Sequence, residues 1–303
     1  MKQFLVKCWN LFFDYYIILR NGFHLWIDVI YQKLYSPPTI TSIEETIQYI
    51  IEKKCSVSRL GDGEIKIATG KALGFQEYSA TLQKRMQEVL SHPIPNHIVC
   101  LPNIFSNLSI YNEEAHQHWK LHLAYYRKKW YQFIDRKHLY HNAFISRCYM
   151  MFIDKSHVGM HFNQMKKIWN NKDILLIEGE KSRLGIGNDL FDNVKSIQRI
   201  LAPNRNAFKH YNNILKEACK YNPSDYLILL ALGPTATILA YDLALKGYQA
   251  IDIGHVDIEY EWFKMGATHK VPVPNKFVNE AGAGVGVGDI DNQKYLNEIV
   301  CRF

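Results

Sequence analysis

Short continuous apolar runs recur along the 303-residue chain, with amphipathic segments between them. The runs occupy residues 55–60, 98–101, 173–178, 225–232 and 248–253. Runs of this length are typical of parallel strands that are covered by helices on both faces. Their alternation with helical patterns predicts βαβ units, and therefore an α/β fold with a doubly wound, mainly parallel sheet.

Helical patterns lie between these strands. Periodicity and capping residues predict helices at residues 41–53, 80–90, 189–200, 207–220 and 233–246. Thr41 or Ser42 caps the first of them, and the last has a proline in its first turn and a glycine after its end. Residues 106–170 are helical in pattern, aromatic and basic, and we interpret them as a helical insertion.

Residues 1–38 form an aromatic, amphipathic N-terminal arm before the main domain at 39–303. Charged residues and a histidine interrupt its apolar runs, so no stretch reaches the roughly 20 residues that a membrane-spanning helix needs. It also lacks a signal-peptide core with a cleavage site. Two alternatives remain open. The arm packs on its own domain or in a homo-oligomer, which we favour, or residues 1–35 lie on a membrane surface.

Composition narrows the class of partner. The formal net charge of +7 favours nucleotide phosphates, anionic lipid or nucleic acid. The run YYRKKWY at 125–131 interleaves stacking and phosphate-pairing groups, but a helix with one solvated basic face explains it better, so we expect no nucleic acid partner. Six cysteines without a C-x-x-C pair argue against a zinc site and favour a reducing cytoplasm. Residues 281–288 are expected to be a flexible loop.

Four loops follow the apolar strands, at the edge where an open parallel sheet binds its ligands. In the first, Asp62 and Glu64 form an Asp-x-Glu pair that suits a hard divalent cation, although a tight turn with solvated acids is the alternative. In another, Gly233, Pro234 and Thr235 open a helix whose N-terminus could bind phosphate or could simply be capped. This loop is neither a Walker phosphate loop nor G-x-G-x-x-G.

The other two loops carry more charge. Arg183 could clamp a diphosphate or ribose and Asn188 could hydrogen-bond a sugar or base, whereas an internal salt-bridge network is the alternative. The last loop holds His255, Asp257, Glu259 and Glu261 within seven residues and is where a general base is expected, although the segment could also be an acid-rich helix start. Residues 257–259 form a second Asp-x-Glu pair, which spacing alone does not rank against the first.

Residues 58–64, 178–191, 232–237 and 252–262 together resemble the signature blocks of the GT-D-type glycosyltransferases, formerly a bacterial domain of unknown function. The resemblance extends from about residue 40 to about residue 300. It implies a Rossmann-like domain that binds a nucleotide sugar, typically of uridine diphosphate (UDP). It also implies metal-dependent transfer of the sugar, which is expected to be a hexose. The implied acceptor is a lipid- or protein-linked glycan, in bacterial surface polysaccharide or glycoprotein assembly.

The resemblance also implies roles for individual residues. Asp62 and Glu64 would hold Mn²⁺ or Mg²⁺, and His255 and Glu261 are the catalytic candidates. The expected nucleotide-sugar ligands are Arg59, Gly61, Glu180, Arg183, Asn188, Gly233, Pro234 and Thr235. The alternative function is a nucleotide-binding scaffold or sensor without catalysis of its own. We expect a cytoplasmic protein, with the inner face of the membrane as the alternative location.

Overall fold

The computed structural model describes the backbone of residues 2–284 and 287–303 and, except for residue 283, their side chains from residue 16 onward. Within these ranges one sheet contains the strands β1 (Thr39–Ile40), β2 (Ser56–Arg59), β3 (His97–Leu101), β4 (Leu139–Asn142), β5 (Asp173–Gly179), β6 (Ser196–Ala202), β7 (Tyr226–Ala231), β8 (Gln249–Asp252) and β9 (Ile299–Arg302). Their order is β1-β4-β3-β2-β8-β7-β5-β6-β9, and each neighbouring pair is parallel.

The helices occupy the connections between the strands. They are α1 (Lys2–Leu34), α2 (Ile43–Lys53), α3 (Asp62–Ala68), α4 (Ala80–Ser91), α5 (Glu113–Phe133), α6 (Val158–Trp169), α7 (Tyr211–Ala218), α8 (Pro234–Leu245), α9 (Val256–Met265) and α10 (Gln293–Glu298). Single 3₁₀ turns form at Ala143–Ser146, Ala207–His210 and Gly282–Gly284. Of the segment predicted to be a flexible loop, residues 285–286 lie outside the described residues.

Both faces of the sheet are buried, which explains the continuous apolar runs. In β5, Leu175 and Ile177 pack into one hydrophobic cluster, with residues of α7 and α8. Ile174 and Leu176 point the other way, into a larger cluster that includes residues of α2, α6 and α9. A strand with helices on both sides needs apolar residues at every position. The structure therefore confirms the predicted Rossmann-like, doubly wound α/β fold with an N-terminal helix.

The start of α2 shows how local sequence fixes an element boundary. The Ser42 hydroxyl accepts a hydrogen bond from the Glu45 backbone N–H at 3.1 Å, and the Glu45 carboxylate accepts one from the Ser42 N–H at 2.8 Å. This reciprocal pair satisfies two of the donors that a helix N-terminus leaves free. The helix ends at Lys54, which adopts a left-handed conformation.

One predicted helix is wrong, and one segment has more structure than the sequence indicated. Residues 189–200 form turns and then the start of β6, which pairs with β5 over seven residues. The strand pattern was hidden because Arg199 is buried in its middle, where Glu178 and Glu298 neutralise it. The segment 106–170 contains α5 and α6 but also β4, which joins β3 to β1 in the sheet.

Strands β2 and β8 lie side by side, and the chain leaves them in opposite directions. After β2 it continues toward β3, and after β8 it crosses to β9 at the far edge of the sheet. Two adjacent strands with diverging connections leave a crevice beyond their carboxyl ends, which is the common ligand site of doubly wound sheets. The topology therefore places the ends of β2 and β8, at Arg59 and Asp252, in the middle of the molecule's binding edge.

Helix α1 packs along α5. Asp28 of α1 accepts a hydrogen bond from the Arg127 Nε at 2.6 Å, and both side chains are buried. The Tyr125 hydroxyl donates to Asn21 at 2.6 Å. Among the described helices none is long and apolar enough to cross a membrane.

Candidate active site

A cavity of about 800 Å³ opens at the carboxyl ends of the central strands. Residues from within 59–64, 231–234 and 252–259 line it, and these follow β2, β7 and β8. Further lining residues come from the start of α5 and from a C-terminal segment that includes Glu280. This is the topological switch point of the sheet, so the fold and the cavity identify the same edge as the candidate site.

Asp62 and Glu64 lie in the first turn of α3, on the cavity wall. The Glu64 Oε2 accepts the Gly61 N–H at 2.8 Å, and the Asp62 Oδ2 accepts from the Lys66 Nζ at 2.6 Å. Burial opposes ionisation of Asp62, but the hydrogen bond to Lys66 and its charge outweigh burial and hold the pKa below its usual value. Burial raises the pKa of Glu64 to about 7, and the negative charge of Asp252 adds to the shift.

Several features of these two carboxylates fit a divalent cation. Each uses one oxygen in the hydrogen bonds above, and its second oxygen has no donor within the described part of the chain. Burial is the main cause of the raised pKa of Glu64 and the charges of Asp252 and Asp62 add to it, and a cation would favour the ionised form against both effects. In the same ranges no group of three or more His, Cys, Asp and Glu residues is arranged to hold a metal. The pair therefore fits Mg²⁺ or Mn²⁺ that completes its coordination with phosphate oxygens and water.

Arg59 and Asp252 join the ends of β2 and β8 across the switch point. The Arg59 Nε donates to the Asp252 backbone carbonyl and its Nη2 to the Asp252 carboxylate, both at 2.7 Å. Gly254 lies against this guanidinium with a φ of +42°, and a Cβ there would fall 1.8 Å from the Arg59 Nη2. Arg59 borders the cavity, as expected for a ligand residue, but its guanidinium is held in the wall.

Arg147, His255 and Glu280 form a connected triad in the wall. The Arg147 Nη2 lies 2.6 Å from one Glu280 oxygen and 3.0 Å from the His255 Nδ1, and the His255 Nε2 lies 3.0 Å from the other oxygen. Arginine can only donate, so Nδ1 accepts and Nε2 carries the proton. Burial disfavours the charge on Glu280, but His255 and Arg147 outweigh it and lower its pKa strongly. Two donors therefore converge on one anionic group.

The loop before α8 gives the cavity a helix N-terminus. Gly233 and Pro234 line it, and Gly233 has a φ of +53°. A Cβ at Gly233 would approach the Phe75 ring to 3.1 Å, so both the conformation and the space favour glycine. The Thr235 side chain is fully buried, is not part of the cavity wall, and its hydroxyl has no hydrogen-bond partner among the described residues.

The polar side chains of the loop at 178–189 mostly bind other parts of the protein. The Arg183 guanidinium donates to the backbone carbonyls of Asn275 at 2.8 Å and Gly288 at 2.6 Å, which fastens the C-terminal segment. Asn188 donates to Glu261 at 2.7 Å and also to Asp257. The structure does not bring Arg183, Asn188, Glu261 or the exposed Glu180 to the cavity wall.

The structure adds site residues that sequence reasoning missed, chiefly Arg147 and Glu280. Arg147 follows the 3₁₀ turn after β4, so it reaches the binding edge in the same way as the predicted loops. That signal was hidden because the segment 106–170 was interpreted as helical. Glu280 lies some twenty positions beyond the last strand-end loop, and only the tertiary fold brings it to His255.

Comparison with known proteins assigns this fold to a class. The family model described as "Glycosyltransferase GT-D fold" matches residues 57–281. A solved structure described as the domain of unknown function 1792 with a distinct glycosyltransferase fold is 42% identical, with a TM-score of 0.87, and the match covers 91% of this chain and 99% of that one. A glycosyltransferase structure from Streptococcus sanguinis is 38% identical, with a TM-score of 0.84 over 88% of this chain and 99% of that one.

Two curated relatives also carry glycosyltransferase names. The "Probable glycosyl transferase Gly" of Streptococcus gordonii is 40% identical over 265 residues, which are 87% of this chain and 39% of the relative. "Glycosyltransferase GlyD" of Streptococcus pneumoniae serotype 4 is 39% identical over 264 residues, 87% of this chain and 32% of the relative. This chain belongs to the GT-D-fold glycosyltransferase family. It spans less than half the length of either curated relative.

Proposed function

We propose that the chain transfers a hexose from a nucleotide sugar, preferably UDP-linked, to a glycan acceptor in bacterial surface polysaccharide or glycoprotein assembly. The observation that carries this proposal is the pair Asp62 and Glu64 on the wall of an 800 Å³ cavity at the switch point, where each carboxylate keeps one oxygen without a donor among the described residues. The family membership supports glycosyl transfer, and the carboxylate pair supports the metal. We place the reaction in the cytoplasm.

The diphosphate of the donor would bind between two positive features of the cavity. One is the N-terminus of α8, where Pro234 has no N–H and an anion would be attracted by the Gly233 N–H and the helix dipole. The other is the donor pair Arg147 and His255, which already holds the Glu280 carboxylate. A phosphate oxygen that replaced Glu280 would meet the same N–H donors. Arg59 and Gly61 border the same space.

A divalent cation on Asp62 and Glu64 would supply Lewis-acid stabilisation of the diphosphate as it leaves. The chain's own residues position the groups around it. Arg59 fixes the end of β2 to the end of β8, so the α3 turn and the His255 loop keep one geometry. Arg183 and Asn188 act at a distance, by fastening the segment that carries Glu280 and by orienting Asp257.

His255 is the catalytic candidate that the cavity favours. It borders the cavity, whereas Glu261 lies behind it and binds the Lys276 ammonium at 2.8 Å. Its Nε2–H tautomer donates to an anion in this arrangement. It would accept the acceptor hydroxyl's proton only after the proton moves to Nδ1 and the contact from Arg147 is released. Substitution of His255 and of Glu261 would test which of the two acts as the base.

A transfer assay tests the function. The chain is incubated with a panel of radiolabelled nucleotide sugars, with and without manganese, and transfer to acceptor glycans is separated from release of free sugar. The proposal predicts metal-dependent transfer from at least one UDP-sugar. Binding of UDP without transfer or hydrolysis from any donor would favour the scaffold alternative. Absence of metal-linked thermal stabilisation by any nucleotide would contradict the metal-dependent transferase and leave the scaffold alternative.

A further inference from the structure

The exposed face of α1 is apolar, and its buried face carries polar residues. Asn21 and Asp28 face α5, where they bind Tyr125 and Arg127. On the opposite side, large hydrophobic residues have 37–68% of their surface exposed: Tyr16, Ile18, Leu19, Phe23, Trp26, Val29, Ile30 and Leu34. We call these eight residues the apolar face. A surface helix normally presents polar residues to solvent, so an exposed apolar face of this size needs a partner.

The apolar face is broad. At roughly 100° of rotation per residue, its members cover about half of the helix circumference. A coiled-coil partner would need only a narrow seam with alternating spacings of three and four residues. Over the 20 residues from 16 to 35 the face is about 30 Å long. A wide, shallow apolar surface with two large aromatic rings, Phe23 and Trp26, is the kind that lies in the interface of a lipid bilayer.

The charges around this face are positive. Between residues 16 and 35 the acidic residue is Asp28, and it is buried against Arg127. Arg20 and Lys33 are exposed. Arg136 lies beside the end of α1, where it donates to the Ser36 carbonyl at 3.1 Å and stands 5.0 Å from the Tyr35 ring. A basic rim around an apolar face complements anionic lipid headgroups, which attract juxtamembrane cations.

We propose that α1 docks the enzyme on an anionic lipid bilayer, with its apolar face in the headgroup region and its axis along the surface. Helix α1 is not apolar enough to cross the bilayer, so it would lie on it. The helix lies outside the family match at 57–281, so this inference does not rest on the proposed transfer reaction. It adds to the packing on its own domain that the sequence favoured, because one side of α1 packs against α5 and the opposite, apolar side stays exposed.

Vesicle flotation of the full chain tests the docking. Vesicles of phosphatidylcholine alone are compared with vesicles that also contain phosphatidylglycerol, at low and high salt. We expect about tenfold stronger binding to the anionic vesicles and weaker binding at high salt, because each cation near the surface contributes about 1 kcal/mol. No binding to anionic vesicles, or equal binding to both kinds in both salts, would overturn the proposal.

Matched variants assign the binding to the apolar face. Phe23→Ser with Trp26→Ser should lower vesicle binding at least tenfold, whereas Ile153→Ser with Leu245→Ser, which removes equally exposed apolar residues elsewhere, should not change it. Arg20→Glu with Lys33→Glu, in the same assay, should also weaken it. Circular dichroism melts check that all variants fold. Equal binding by the α1 and control variants would overturn the proposal, as would a stable dimer that dissociates when the apolar face is changed.

Discussion

The two Asp-x-Glu pairs of this chain have the same spacing but different surroundings. Asp62 and Glu64 begin α3 after β2, and Asp257 and Glu259 begin α9 after β8. Both pairs border the cavity at the same edge of the sheet. Spacing, helix position and topology are therefore equal, and the difference lies in what each carboxylate already binds.

The second pair accepts more protein donors than the first, and within the described residues Asp257 has both of its oxygens occupied. Asp257 accepts the Gly185 N–H at 2.8 Å and the Lys276 ammonium at 2.7 Å, and Asn188 contacts it as well. Glu259 accepts the backbone N–H groups of residues 149 and 150, both at 2.9 Å, and its burial raises its pKa. Both side chains are fully buried. This pair fastens three segments of chain together.

The first pair keeps unused acceptor capacity on the cavity side. Asp62 is 36% exposed and contacts Lys66 on the same helix, an i,i+4 pair of the kind that contributes little to stability. A ligand can compete for such a carboxylate at small cost. Burial and the number of protein donors, rather than the motif, therefore distinguish the two pairs, and the contrast is sharpest between Asp257 and Asp62.

The largest expected effect on stability is at Asp257. Replacement by alanine leaves the buried Lys276 with only Glu261 and leaves the Gly185 N–H unpaired, so we expect a loss of about 3 kcal/mol or more in unfolding free energy. Asp62→Ala is the matched control, with an expected change within about 0.5 kcal/mol. Urea denaturation measures both. Equal losses for the two variants would remove the distinction between the pairs.

The largest expected effect on activity is at Asp62. Asp62→Asn keeps the volume of the side chain but removes its charge, so transfer should fall at least about 100-fold, equivalent to about 2.7 kcal/mol. Asp225→Asn, which lies before β7 at the opposite end of the sheet, should retain activity. Initial rates with the preferred donor measure both. A folded Asp62→Asn protein with normal turnover would contradict the metal assignment.

The raised pKa of Glu64 makes the stability of the folded protein depend on pH. Its pKa of about 7 in the folded protein exceeds the ordinary 4.5, so the folded state binds the proton more tightly than the unfolded state. Stability therefore falls as pH rises from about 4.5 through about 7. In metal-free buffer, the unfolding free energy of Glu64→Gln should fall less than that of the wild type between these pH values, by roughly 2 kcal/mol. Identical pH profiles would show that burial and the acidic neighbours do not raise the pKa of Glu64 in the folded protein.

The smallest expected effect is at Glu280. Glu280→Gln removes the carboxylate that competes with a phosphate for Arg147 and His255, so UDP affinity should rise roughly two- to fivefold, the range of one partly exposed ion pair. Glu77→Gln, at an exposed ion pair outside the cavity, is the control. Calorimetric titration with UDP measures both. Weaker UDP binding by Glu280→Gln would mean that this carboxylate supports the site.

Sequence patterns predicted the central sheet well because strands buried on both faces are apolar over most of their length, as residues 174–177 of β5 and 227–230 of β7 show. They failed at β6, where a neutralised Arg199 interrupts the apolar run, and at β4, which is short and lies between aromatic helices. In both cases the residue pattern depends on partners that lie far away in sequence. Only the assembled sheet supplies those partners.

The candidate site could likewise be predicted only in part. The loops after β2, β7 and β8 could be located from the sequence because parallel strands present their carboxyl ends at one edge. The contacts within the site could not. Arg183 was expected to bind a diphosphate, but it binds two backbone carbonyls of the C-terminal segment, since an arginine in a loop has the same sequence signature in either role.

Crystals soaked with UDP and manganese test the central claim most directly, because anomalous scattering locates the metal without reference to any activity. We predict one manganese beside Asp62 and Glu64, with UDP phosphate oxygens completing its coordination next to Gly233 and Pro234. Manganese at Asp257 and Glu259, or UDP in the cavity with no metal at Asp62 and Glu64, would contradict it.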